Sequence, residues 1–257
     1  MNDLIGNIEF FHVAETDSTN NLAATLFAER KAAEGEKGGM IIVSTDYQTA
    51  GRGQRGAKWE SERGSNLLFS VAFRPNEIKI CRQFRLSQAM AVAVCDALCD
   101  VKEGFEIKWP NDIYFGLKKI SGTIIETSWR GDMVDRCVMG VGVNVNQCDF
   151  VGDAPNPISL VNITGGVNRI EDLLRNILDR FVEELSLLYS KGEEELAARY
   201  GARMMWRDGV HKYCDANGFF EAFVEGVEAD GHLLLRDMEG VLRKYMFKEV
   251  KHVILNT

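Results

Sequence analysis

Gln48-Thr49-Ala50-Gly51-Arg52-Gly53-Gln54-Arg55-Gly56-Ala57-Lys58-Trp59 is the stretch around which the chain is organised. The apolar run Met40-Ile41-Ile42-Val43 leads into it, and Asn66-Leu67-Leu68-Phe69-Ser70-Val71-Ala72-Phe73 leaves it. Both runs have the composition of buried strands. Between them, three glycines at G-x-G-x-x-G spacing carry two interleaved arginines. Glycine lets a backbone approach a ligand closely, and successive N–H groups in such a loop form an anion-binding nest. Arginine adds a planar fork of donors matched to phosphate or carboxylate. The chemistry indicated is recognition of such an anion. A dinucleotide fingerprint needs a helix directly after its glycines; here the loop runs on to Gly64 and a strand follows. There is no P-loop motif either.

The bulk numbers narrow the setting. The chain has 257 residues, 46% hydrophobic and 26% charged, enough for one large or two modest domains with real cores. A net charge of −8 excludes a strongly basic nucleic-acid footprint, so an anionic ligand must be met by local positive charge. The cysteines (Cys81, Cys95, Cys99, Cys137, Cys148, Cys214) and histidines (His12, His211, His232, His252) lack zinc-site spacing. The thiols read as free cysteines of a reducing cytosol. The first residues lack a signal peptide's features, and no apolar run is long enough to span a bilayer. A soluble cytoplasmic protein is expected.

Along the chain, Ser18-Thr19-Asn20 precedes apolar residues at helical spacing and reads both as a helix cap and as a polar trio facing a ligand. Residues from about Cys81 to Val101 make an Ala- and Leu-rich helix, and Phe105 to Trp109 a strand ended by Pro110. The strand from Arg136 to Val145 carries Gly140 and Gly142, which mark a bulge or the close approach of something else. Ile170 to Leu188 sustains an amphipathic helix, and Glu193 to about Arg203 a second one. From Asp208 onward short strands alternate with Asn217-Gly218, Asp230-Gly231 and Glu239-Gly240 turns, the texture of a small all-β barrel.

Four motifs now stand in order: Ser18-Thr19-Asn20, the glycine-arginine loop with Trp59, Lys108-Trp109-Pro110-Asn111-Asp112, and Lys119-Ile120-Ser121-Gly122, with Lys119 seven residues past Asp112. A glycine-rich strand ending in Asn144 completes the set. Together they resemble the biotin protein ligases across essentially the whole chain. The resemblance implies an α+β fold in which helices flank a mixed β-sheet, similar to class II aminoacyl-tRNA synthetases. It also implies a small C-terminal all-β barrel of the Src-homology-three type. The expected domains are 1–207, catalytic, and 208–257, the barrel. The family's optional N-terminal helix-turn-helix domain is not expected.

The activity implied is ATP-dependent attachment of biotin to a lysine of a biotin carboxyl carrier protein domain, through a biotinyl-adenylate. Lys119 and Arg52 are then the catalytic charges. Biotin falls to Ser18, Thr19, Asn20, Gln48, Gly51, Arg52, Gly53, Gln54, Lys119, Gly122, Ile124 and Gly140. ATP and the adenylate fall to Arg52, Arg55, Trp59, Lys108, Asn111, Lys119 and Asn144, with Mg on Asp112 and Asn144. Gln54 and Ala57 depart from the arginines usual in the family, leaving the loop less positive. No nucleic-acid or membrane partner is expected, and a homodimer is allowed. The alternatives are a lipoate ligase or octanoyltransferase of the same fold, which lacks the G-R-G loop, and a non-enzymatic nucleic-acid-binding module.

Overall fold

A computed structural model describes residues 7–34, 39–53, 58–75, 78–151, 156–190 and 192–254. The expected Gln54 and Arg55 contacts lie outside these. The chain divides into two compact units, Met1–Ile80 with Lys118–Asp179, and Cys81–Leu117 with Arg180–Thr257.

In the first unit, strands β1 (Ile8–Val13), β2 (Met40–Thr45), β3 (Leu67–Phe73), β6 (Lys118–Arg130) and β7 (Met133–Val143) lie in the order β1-β2-β3-β7-β6. β1 and β2 are parallel, and the β2–β3, β3–β7 and β7–β6 pairs are antiparallel. The sheet is therefore mixed, as the resemblance implied. A parallel pair needs a crossover connection, and helix α1 (Thr19–Glu34) supplies it. Ala23 and Phe27 of α1 pack on Ile41, Val43, Ala72 and Val138. Full burial of a side chain such as Phe27 is worth about 1.5–3 kcal/mol. All of β2 and β3 is buried, and Ser70 is the one polar side chain in the run Leu67–Phe73. A five-residue helix, α3 (Leu160–Thr164), begins at a Ser159–Asn162 capping box and was not foreseen.

The second unit holds α2 (Phe84–Val101), the antiparallel hairpin β4 (Phe105–Lys108) and β5 (Asp112–Phe115), and α5 (Glu193–Ala202). α2 is apolar nearly all round and buried, which suits a helix at the centre of a core. The chain leaving α5 zips onto β4, with Ile107 N–H donating to Arg203 O and Met205 N–H to Ile107 O. Strands β8 (His211–Asp215), β9 (Gly218–Val227), β10 (Leu233–Asp237), β11 (Leu242–Tyr245) and β12 (Lys251–His252) form an antiparallel sheet in the order β11-β10-β9-β8-β12.

The expected boundary at 207/208 falls inside the second unit, where the hairpin's Trp109 packs on turns of the C-terminal segment. Trp109 Nε1 donates to Gly231 O at 3.0 Å, and its ring lies 5.1 Å from that of Phe247. The amphipathic helix α4 (Ile170–Tyr189) buries Leu173, Leu174, Ile177, Phe181, Leu185 and Leu188, as its periodicity predicts. Among the described residues, no helix is long and apolar enough to cross a membrane.

Candidate active site

The site lies in the first unit, where the N-terminal end of α1 meets the start of the glycine-arginine loop. Register places three rows of residues on that face. Ala72, Val138 and Glu126 form the first, Ser70, Gly140 and Ile124 the second, and Leu68, Gly142 and Gly122 the third. The first row supports α1. The other two carry the expected Gly122, Ile124 and Gly140, together with Gly142.

Asn20 sits on the second row. A Cβ at Gly140 would fall 2.2 Å from Asn20 Oδ1, so only glycine admits this packing. Asn20 Oδ1 accepts from Ser70 Oγ at 2.6 Å, and its Nδ2 donates to Glu126 Oε2 at 2.9 Å. Thr19 N–H donates to Gln48 Oε1 at 2.9 Å, while Thr19 Oγ1 lies 3.1 Å from that oxygen and 2.7 Å from Ser70 Oγ. Thr49 N–H and Ala50 N–H donate to the Thr16 and Asp17 carbonyls, which docks the loop's first residues against the turn before α1. The helix trio and Gln48 are thus brought together as expected. Ser18, Thr19 and Asn20 are all buried. Hydrogen bonds from the Asn21 side chain and the Ser18 N–H hold the Asp17 carboxyl below its usual range.

The loop's base closes on itself. Arg52 and Lys58 pair as an isolated bridge, and Trp59 N–H donates to Gly51 O. A Cβ at Gly51 would meet Trp59 O at 2.7 Å. Arg52 Nη2 donates to Asn21 Oδ1 at 2.9 Å and lies 3.4 Å from Glu126 Oε1. Trp59 lies on the third row, with a Cβ at Gly142 falling 2.5 Å from its ring. Its Nε1 is buried without a hydrogen-bond partner among the described residues. The loop opens onto a groove of about 1100 Å³ lined by Gln48, Gly51, Arg52, Lys58, Trp59 and Gln147, among others.

Lys119 reaches back over the same floor, its Nζ 3.1 Å from where a Gly122 Cβ would lie. The segment before α3 straps its backbone, since Lys119 N–H donates to Asn156 O and Ile158 N–H to Lys119 O. Asn144 is held by the same strap, with Nδ2 donating to Ile158 O at 3.1 Å. The lysine and the Asn144 end of the glycine strand are therefore positioned by one piece of chain.

Lys108, Asn111 and Asp112 belong to the second unit. Lys108 Nζ stands 5.2 Å over the Tyr114 ring, and the buried Asn111 donates to Ser87 Oγ at 3.2 Å. Tyr200 Oη donates to Pro110 O at 2.8 Å, pinning the turn. Asp112 pairs with Lys108 across the hairpin.

Two members of the first-unit network, Ser70 and Glu126, were missed. Each left a faint signal. Ser70 is a lone hydroxyl in an apolar strand, and Glu126 follows Gly122 and Ile124 at strand period on one face.

The first unit thus gathers a glycine-floored slot, a polar trio, an arginine loop and a strapped lysine. The chain belongs to the biotin/lipoate A/B protein ligase family, whose model matches residues 13–144. Within that family it belongs to the biotin protein ligases. It is 30% identical over 242 residues to a biotin–[acetyl-CoA-carboxylase] ligase of Paracoccus denitrificans, covering 89% of this chain and 94% of that protein. The ligase of the same description from Mycobacterium tuberculosis is 30% identical over 201 residues, covering 75% of this chain and 70% of that protein. Among solved structures, the biotin protein ligase from Aquifex aeolicus in complex with biotin and ATP superposes with a TM-score of 0.74. Sequence identity is 27%, and the match covers 96% of this chain and all of that one.

Proposed function

We propose that this chain attaches biotin to a lysine of a biotin carboxyl carrier protein domain in two ATP-dependent steps. In the first, biotin's carboxylate oxygen attacks the α-phosphorus of ATP, and pyrophosphate leaves with the electrons of the broken P–O bond. In the second, the carrier lysine's amine attacks the acyl carbon of biotinyl-adenylate, AMP leaves and an amide forms. The observation that carries this reading is Lys119 lying over the glycine floor beside the Thr19–Gln48–Asn20 network.

In this reading, Thr19 and Gln48 meet the ureido ring, with Ser18 and Asn20 behind them. Gly122, Ile124 and Gly140 floor the ring and tail, and Gly51 and Gly53 let the loop backbone close in. Lys119 and Arg52 bring fixed positive charge to the meeting of two anions, which lowers the barrier to adenylate formation, and holding both reactants removes a proximity cost. Trp59 shields the mixed anhydride from water. Gln54, Arg55, Lys108 and Asn111 complete the adenylate contacts.

Bound Mg would supply charge that screens the phosphates of ATP. Asn144 fits it in chemistry, since Nδ2 is spent on Ile158 O and the side chain's other end is an oxygen, the ligand Mg prefers. Asp112 is the second candidate ligand. The same reading makes residues 208–257 a Src-homology-three-type barrel, the setting cytoplasmic, a homodimer allowed, and nucleic acid no partner.

Pyrophosphate release measured with ATP, Mg and either biotin or lipoate tests the reading. Biotin-dependent release is expected. Release with lipoate alone, or with neither acid, sinks it.

A further inference from the structure

Asn21 stands just past the Ser18-Thr19-Asn20 trio with no part assigned to it, yet its side chain holds the arginine given to the anion. Its amide spans two charged neighbours, and counting donors fixes which end faces which. Asn21 Nδ2 lies 2.7 Å from Asp17 Oδ2, and an ionised carboxylate only accepts. This bond is the first cause of the lowered Asp17 pKa, so Asp17 is ionised at neutral pH. Nδ2 therefore faces Asp17, and Oδ1 faces Arg52, whose Nη2 donates to it at 2.9 Å. The same Nη2 lies 3.4 Å from Glu126 Oε1. One nitrogen of the guanidinium is thus held from two sides, by the first turn of α1 and by β6. Among the described residues no hydrogen bond falls to Arg52 Nε or Nη1, which keep their protons for a ligand.

We propose that Asn21, turned by Asp17, is a positioning residue that presents Arg52 to the reacting anions: it fixes one end of the guanidinium and leaves the other donors at the edge of the slot. The inference rests on the biotin ligase reading, in which Arg52 meets the carboxylate and the α-phosphate. The chemistry of the hold suits that task. Asn21 Oδ1 is neutral, so it orients the guanidinium without cancelling its charge. Glu126 does carry a charge, but its side chain and that of Arg52 are each 47% exposed, and water screens such a pair. The orienting contact is therefore the amide, and the positive charge stays available to the ligand.

The test reads adenylate formation as single-turnover pyrophosphate release, and binding of biotinol by calorimetric titration. Biotinol has an alcohol in place of biotin's carboxylate, so it keeps the ureido contacts and lacks the anion that Arg52 meets. Asn21→Ala is expected to slow adenylate formation on the order of tenfold, the low end for a hydrogen bond to a charged group because the site is half exposed. Biotinol should bind within about twofold of wild type. In an Arg52→Ala background there is no guanidinium to hold, and adding Asn21→Ala should change the rate by about twofold or less.

Adenylate formation at or above the wild-type rate in Asn21→Ala overturns the inference, as does an equal loss in the Arg52→Ala background. Parallel weakening of biotinol also overturns it, since the damage would then lie in the turn of α1 that carries Thr19 and Asn20. If the wild-type protein releases no pyrophosphate with biotin, the functional reading fails and this inference with it; if it does and Asn21→Ala matches it, this inference fails alone.

Discussion

Gly140→Ala puts the geometry of the site under the most direct strain. Gly140 lies in regular antiparallel pairing with Ser70 and Ile124, so the backbone accepts alanine, and the whole effect comes from the added methyl group. That methyl would stand 2.2 Å from Asn20 Oδ1 and 2.9 Å from Cγ. Asn20 must move, and its bonds to Ser70 and Glu126 break. A neutral hydrogen bond is worth about 0.5–1.5 kcal/mol and one to a charged group about 1.5–3, so about 2–4.5 kcal/mol of local order is lost. At about 1.4 kcal/mol per tenfold, biotin binding should weaken roughly 30- to 1,600-fold. Calorimetric titration reads this directly. In an Asn20→Ala background the three nearest atoms the methyl would strike are gone, and the further loss from Gly140→Ala should fall to about twofold or less. A loss as large in that background as in the wild type would refute the reasoning.

Further outcomes follow from other parts of the molecule. Lys119→Ala should lower the rate of biotin-dependent pyrophosphate release about 10²–10³-fold while leaving the thermal melt in place; a rate within threefold of wild type contradicts its assignment. Trp59→Ala should shorten the lifetime of enzyme-bound adenylate while Trp59→Phe, which keeps a ring on Gly122 and Gly142, largely preserves it; equal lifetimes for the two would mean that the ring shields nothing. Burial, and then the positive charges of Lys108 and His211, lower the pKa of His252 from 6.5 to about 3. The unfolded imidazole takes up a proton that the folded one refuses, so this contribution to stability is complete above pH ~6.5 and is lost as the pH falls from there, by at most about 1.4 kcal/mol per pH unit. Urea denaturation at several pH values should show that slope, and His252→Gln should flatten it.

The parts of the site legible in the sequence are those whose residue types make little sense otherwise. Glycines inside strands and a Gly-Arg loop between apolar runs pointed to a ligand, the roles of Lys119, Gln48 and Gly122 came from the family resemblance, and the structure bonds Thr19 to Gln48 and sets Gly122 and Gly140 on neighbouring rows of one sheet face. Ser70 and Glu126 were not legible because their partner, Asn20, is 50 and 106 residues away, and only the β3–β7–β6 register brings all three together. The long helices followed from periodicity and the mixed sheet from the family resemblance, whereas β12, two residues long, is too short to show any pattern. The division into compact units was hidden for the same reason as the network. It depends on contacts such as that of Trp109 with Gly231, 122 residues apart, which no local pattern records.

Gly122, Gly140 and Gly142 make room for the site by omission, and this gives it a one-sided future. A slot bounded by large side chains can be widened or narrowed by exchange. One bounded by glycine can only be narrowed, since no residue is smaller and each added carbon lands on Lys119, Asn20 or Trp59. Variation in this floor therefore runs toward smaller ligands or none. Any broadening of what the protein accepts has to come from the polar edge or the arginine loop.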